Sequence, residues 1–324
     1  MRMGSRPHAH ERKPLAGLPA GGGGLALSLV EGAWPPKNFP LETFVMVLDF
    51  TQITFGLVLS TAIGGLAYWR QSLTAGGWLG AVITGTATMG FGGWAWGFTL
   101  IAFFISGSAL SHYKEKLKEQ RAAEKFSKGG RRDLAQAMAN GGVAALIALL
   151  YALFGEPGAL LAFFVGVMAT VTADTWATEL GVLSPHRPRL ITNGQPVEPG
   201  TSGGISLMGT SAAAAGGLMI GIVMFIGLSL TQVFGGETLN LPWWLLLGAT
   251  LGGLGGAMAD SLLGATVQAI YRYESGKETE RTVARDGTPT TFVRGWRWMN
   301  NDMVNLLSSL AGGAIAVGFF LLLG

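Results

Sequence analysis

The chain has 324 residues, of which 49% are hydrophobic and 13% charged, with a formal net charge of +3. So small a charged fraction, with a mean hydropathy of +0.41, leaves too little polar surface for a water-soluble globule and reads as a polytopic membrane protein. The absence of cysteine removes disulfides, thiolate metal sites and a cysteine nucleophile, and the basic charge comes without a base-stacking or groove-reading module, so nucleic acid is not expected as a partner.

Residues Met1–Pro40 are rich in Gly, Pro and Arg, lack an apolar period and read as a disordered tail. An over-extended start, with Met46 nearer the true beginning, fits this composition, as does a transit peptide; a signal-peptide core of adequate length is missing. Leu41–Gly324 reads as a single transmembrane catalytic domain, all-α. Its apolar runs, each about 20 residues and able to cross the hydrocarbon layer, are Phe44–Tyr68, Gly76–Phe91, Trp94–Ser111, Leu134–Phe154, Gly158–Leu180, Ile205–Leu230, Leu241–Tyr271 and Met303–Leu323. The second is short and glycine-rich. Of 22 Lys and Arg residues, 17 fall in the connections after the first, third, fifth and seventh runs, and the alternate connections hold none. The positive-inside rule makes that basic side cytoplasmic, in a cell inner membrane or an organelle membrane. The tail, which carries the other basic residues, conflicts with the rule.

Polar residues recur at helical spacing toward that side. Asp133, Gln136 and Asn140 share one face of the fourth run. In the fifth, the stretch TVTADTWATELG aligns Thr170, Asp174 and Thr178, with Glu179 at the cytoplasmic exit. The seventh carries Gly248, Gly252, Gly256, Asp260, Gly264 and Gln268 at intervals of four, a packing ridge with Asp260 as its only charge. The eighth repeats Asn301, Asn305 and Ser309, with Asp302 adjacent. An ionised carboxylate at bilayer depth is costly unless a partner, cation or water offsets it, so acids gathered from separate helices point to a site.

The connection before the sixth run reads SPHRPRLITNGQPVEPGTSGGIS. Thr201, Gly203, Gly204 and Ser206 precede a helix whose N-terminus faces the cytoplasm, a natural place for phosphate. Arg187 and Arg189 lie upstream and can bind phosphate oxygens bidentately. A P-loop, an HExxH motif and any His cluster are absent from the sequence. Acids opposite a phosphate-binding helix end suggest Mg²⁺ shared between carboxylates and substrate phosphates. Phosphoryl or nucleotidyl transfer to a lipid-like acceptor follows from that chemistry.

The blocks LTAGGWLGAVITGT, FGGWAWG with FFISGSAL, RRDLAQAMANGG, TADTWATELG, PRLITNGQPVEPGTSGGIS, GGAMADSLLGATVQ and NNDMVNLLSSLAGG resemble, in this order, the transmembrane protein 19 family, which includes plant phytyl-phosphate kinase. The resemblance runs from about Leu66 to the C-terminus. It implies CTP-dependent phosphorylation of a prenyl monophosphate to its diphosphate, and it carries over Asp133, Asn140, Asp174, Glu179, Asp260, Asn301 and Asp302. Some relatives carry cysteines before the last helix; Arg272–Trp298 has none here.

The sequence therefore leads to a CTP-using prenyl-phosphate kinase with Asp174 and Asp260 as Mg²⁺ ligands. Glu179, Asp302 and Asn301 complete the catalytic set. Substrate and phosphate fall to Asp133, Asn140, Arg187, Arg189, Thr201, Gly203, Gly204, Ser206 and Asn305. No general base is required, because a phosphate monoester is already largely anionic at neutral pH. A cytidylyltransferase making a CDP-lipid would use the same groups, and a cation- or proton-coupled transporter would also bury acids. The transporter, however, calls for polar rows that continue to the outer face. The expected partners are a membrane prenyl phosphate and a nucleoside triphosphate, and a homo-oligomer is compatible with the sequence.

Overall fold

The structure, a computed structural model, describes residues 49–122, 131–236, 238–284 and 286–324. The tail Met1–Pro40 and the first residues of the first run lie outside them. Nine helices appear among the described residues: α1 (Phe50–Trp69), α2 (Ala75–Gly92), α3 (Trp94–His112), α4 (Glu115–Ala122), α5 (Leu134–Leu153), α6 (Gly158–Gly181), α7 (Leu207–Gly235), α8 (Trp244–Thr266) and α9 (Asn301–Leu323). Side-chain caps fix several starts. Asp49 accepts from Thr51 N at 2.9 Å, Thr74 from Gly77 N at 3.0 Å, and Asn300 from Met303 N at 3.0 Å.

Seven of these helices are long and apolar enough to cross a membrane. The protein is an integral membrane helical bundle. The exception among the eight expected runs is α2, whose glycines and threonines dilute its hydropathy. It nevertheless matches α1 in depth, with Gly56 against Met89 at one end and Gly64 against Trp78 at the other. Two boundaries differ from the sequence reading. The seventh run was expected to stay helical to Tyr271, but α8 stops at Thr266, because Ile270 and Tyr271 enter β3 (Ile270–Arg272) and pair with Arg294 and Phe292 of β5 (Thr291–Arg294). Gln268 therefore leaves the glycine ridge. With β4 (Glu278–Thr279) the charged connection folds into a small antiparallel sheet, order β4-β3-β5, that periodicity did not reveal. The sixth run extends to Gly235, where Gly236 turns left-handed and ends it.

The basic connections meet at one end of the bundle. Ser72 Oγ lies 2.9 Å from His112 Nε2, Thr74 N donates to Arg132 O at 3.0 Å, and Arg121 Nη1 reaches Val182 O at 3.2 Å. Ser202 and Gln268 tie the connection before α7 to the one after α8 at 2.5 Å.

Helix α6 is the centre, buried continuously from Phe164 to Ala173 and packed on α7, α8 and α9. Within lipid there is no water to expel from between helices, so association depends on close packing and polar contacts. Glycines provide the approach. Gly166 of α6, Gly252 and Gly256 of α8, and Gly312 of α9 meet around Thr170, whose hydroxyl donates to Gly166 O at 2.9 Å and Gly252 O at 3.2 Å. Toward the other end the core becomes larger and apolar, with the Trp96 ring 4.0 Å from Phe164 and 4.7 Å from Tyr151.

Two expectations follow. Because the chain has no cysteine, single cysteines at Lys116, Gln195 and Ser275 should share one membrane-impermeant labelling pattern, opposite to Thr238; a split among the first three would break the common face. A Cβ at Gly312 would press on the Thr170 hydroxyl, so Gly312→Ala should cost about 1–3 kcal/mol of stability in detergent melts, and adding Thr170→Ala should recover part of it.

Candidate active site

One turn from the Thr170 junction, toward the basic end, the same three helices present polar groups. Asp174 follows Thr170 on α6, Asp260 follows Gly256 on α8, and Ser308 precedes Gly312 on α9. Asp174 and Asp260 line a cavity of about 380 Å³ that also takes in Gln136 and Asn140 of α5, the start of α7, and Asn301 and Asn305 of α9. Asp260 Oδ2 accepts from Ser308 Oγ at 3.2 Å. Asp174 makes no hydrogen bond or ion pair among the described residues. Glu280, from the sheet-bearing connection, lies near enough to repel both aspartates and accepts from Gln268 Nε2 at 3.0 Å.

The approach to α7 is a β-hairpin, β1 (Arg189–Leu190) pairing with β2 (Gly204–Ile205). Its return passes over the end of α8. A Cβ on Gly203 would lie 2.7 Å from Ala265 N, and its φ of +82° is one that side chains rarely adopt. Gly203 is thus explained by packing, whatever else it does. Ser206 caps α7 by accepting from Gly209 N at 3.1 Å, and Ser206, Gly209 and Thr210 place the positive end of that helix on the cavity.

Of the residues singled out in the sequence, Asp174, Glu179, Asp260, Asn140, Asn301, Asn305, Thr201, Gly203, Gly204 and Ser206 line this one space. Glu179 is ion-paired to Lys118 Nζ at 2.5 Å and accepts from Ser111 Oγ at 2.6 Å. The Lys118 ammonium also donates to Leu110 O, so the pair ties α4 to α3 and α6. The other four are elsewhere. Asp133 closes a capping box with Gln136 at the start of α5. Asp302 lines a neighbouring recess with Glu280, Arg281 and Asn300. Arg187 is exposed, and Arg189 is spent on Gly194 O at 2.9 Å, where it staples the hairpin turn.

The cations that do reach the cavity are Lys118 and Arg132, both counted in the sequence only as loop charge. Glu280 was missed as well. The signal for Arg132 was available: it immediately precedes a helix-capping Asp in the block RRDLAQAMANGG. Nothing local marks Lys118 or Glu280. Among the described residues, no group of three acidic or His side chains is gathered tightly enough to hold a metal by itself.

A profile of "Integral membrane protein DUF92" matches residues 58–313, which include every residue that lines the cavity. The chain belongs to this family. Protein PGR of Arabidopsis thaliana is 31% identical over 276 residues, covering 80% of this chain and 93% of that protein. Uncharacterized membrane protein MJ0933 of Methanocaldococcus jannaschii is 32% identical over 241 residues, 74% of this chain and 83% of its own. Protein VTE6, chloroplastic, also from Arabidopsis thaliana, is 28% identical over 250 residues, 76% of this chain and 64% of its own. No solved structure matches the chain.

Within this DUF92 site the acids fall into two kinds. Glu179 is neutralised by a fixed lysine; among the described residues, Asp174 and Asp260 have no ion-paired cation. Glu179→Gln should therefore act first on stability, by about 3–5 kcal/mol for a largely buried ion pair left with an unpaired lysine, and lower melting temperature more than ligand affinity. A variant that melts like the native protein yet loses all ligand binding would place Glu179 with the other two acids.

Proposed function

We propose that this protein is a CTP-dependent kinase that phosphorylates a membrane prenyl monophosphate, phytyl-like, to the diphosphate. The observation that carries this is the convergence of Asp174 and Asp260, from separate helices and without basic partners among the described residues, on a cavity that α7 faces with its N-terminus. Two carboxylates and a helix dipole are the parts that a metal-bridged polyphosphate requires. The motif resemblance to the family containing plant phytyl-phosphate kinase supports the reading, as does the similarity to chloroplastic VTE6. A polar space confined to one end of the bundle suits an interfacial enzyme better than a transport path.

The residues fit Mg²⁺. Asp174 has unused acceptor oxygens, Asp260 is oriented by Ser308, and Mg²⁺ commonly takes one or two carboxylates and fills its remaining positions with water and phosphate. Asp174 and Asp260 would hold the ion, which when bound neutralises charge on the transferring phosphoryl group. The α7 amides and the Thr201–Gly204 hairpin receive nucleotide phosphates. Asn301 and Asn305 offer amide donors to the same oxygens. In the reaction a lipid-phosphate oxygen attacks the γ-phosphorus of CTP, the bond to the β-phosphate oxygen breaks, and CDP leaves with that electron pair. The acceptor is already anionic, so proton removal is not required.

Purified protein given labelled CTP and a panel of prenyl phosphates should yield prenyl diphosphate and CDP. Release of pyrophosphate with a CDP-lipid would replace the kinase by a cytidylyltransferase, and no turnover of CTP would end both readings. Asp174→Asn and Asp260→Asn should each lower turnover at least about a hundredfold while the protein remains folded in detergent. Near-native turnover in both would remove these acids from the mechanism.

A further inference from the structure

A second space opens from the same end. It is an apolar cleft of about 70 Å³ between α1, α2, α3 and α5, walled by side chains such as Leu59, Ile63, Ala81, Leu100 and Phe104. Glycines at 64, 85, 97 and 141 line it as well, each covered closely by a neighbour (Trp78, Ser60, Met89 and Thr84), so the cleft is narrow. It shares Arg132, Gln136 and Asn140 with the polar cavity, so the two spaces adjoin at these residues.

Arg132 stands at that junction in an unusual state. Its guanidinium lies over Phe103 and Phe104, 5.4 and 5.8 Å from their ring centres. Nη1 is buried and has no hydrogen-bond partner. The carboxylate whose charge it feels is Glu179, already engaged by Lys118 and Ser111. Buried polar groups are nearly always satisfied, and a guanidinium can be completed only by acceptor atoms. Phosphate oxygens match its fork geometry. The cleft that begins beside it is greasy and narrow, which excludes a nucleoside and suits a hydrocarbon chain.

We infer that the cleft holds the phosphate-proximal part of the prenyl chain, with Arg132 binding the acceptor phosphate between Gln136 and Asn140. This rests on the prenyl-phosphate reading of the site but not on the identity of the phosphoryl donor. The remainder of a long chain extends from the cleft into lipid. The donor nucleotide and the acceptor then enter from different sides: the nucleotide through the hairpin and α7, the lipid past α1, α2 and α3.

The test is equilibrium binding, without nucleotide, of phytyl monophosphate, phytol and short isopentenyl monophosphate to the full chain in nanodiscs. Arg132→Gln should weaken both phosphates at least about tenfold and leave phytol little changed. Ala81→Phe, which fills the cleft, should weaken phytyl monophosphate and phytol at least about tenfold and isopentenyl monophosphate, which buries fewer carbons there, by less. Native affinity for phytyl monophosphate in either variant overturns the inference. If Arg132→Gln does not fold, photocrosslinking of a diazirine-bearing prenyl phosphate to the native protein decides: label on α1, α2, α3 or α5 cleft residues supports it, and label confined elsewhere overturns it. CTP turnover separates the two proposals. The expected binding pattern without turnover would sink the kinase and keep the cleft, whereas turnover with a native lipid KM in both variants would do the reverse.

Discussion

Everything at the site depends on how closely α6, α8 and α9 approach one another. Their backbones meet through Gly166, Gly252 and Gly312, with the Thr170 hydroxyl between them. Side chains of ordinary size there would separate the axes to the usual 8–10 Å or more. The acids one turn away would then no longer face a common space. The glycine ridge and the polar rows are therefore one device: small residues in the bilayer half draw the helices together, and the turn beyond them collects the charges. The cost of placing aspartate at that depth is offset by opening the bundle into a polar cavity at the same level.

The second half of the site comes from outside the helices. The hairpin before α7 and the sheet before α9 fold back over the cavity, tied by Ser202, Gln268 and Glu280. Arg294 adds a clamp by donating to Gly264 O and Ala265 O at the end of α8. These segments account for the abrupt end of α8. Once Ile270 and Tyr271 have partners in β5, the ladder offers their amides what a longer helix would have offered.

Much of this was legible in the sequence, for identifiable reasons. The apolar runs that follow Thr74, Pro157 and Asn300 give those helices within a few residues. The i+4 rows through Asp174 and Asp260 locate the acidic cluster, because period and charge asymmetry together place a residue on a face and at a depth. What the sequence hid was contact between distant segments. Nothing near Lys118 shows that it will cross to Glu179, 61 positions later. Likewise Arg189, close in sequence to the glycine hairpin, is drawn off by its own turn. Arg132 shows the converse: its neighbour Asp133 caps the helix, and that cap is what fixes the arginine against the aromatic wall of α3.

The cavity is bordered by seven helix ends among the described residues. The N-termini of α4, α5, α7 and α9 meet it, against the C-termini of α3, α6 and α8. If each end counts as about half an elementary charge, the peptide backbone alone leaves a surplus of about +0.5 around the space. This bias belongs to the topology of the bundle. Titration cannot remove it, and no single substitution can. An anion entering between the helices meets a scaffold already polarised in its favour before any side chain or ion takes part.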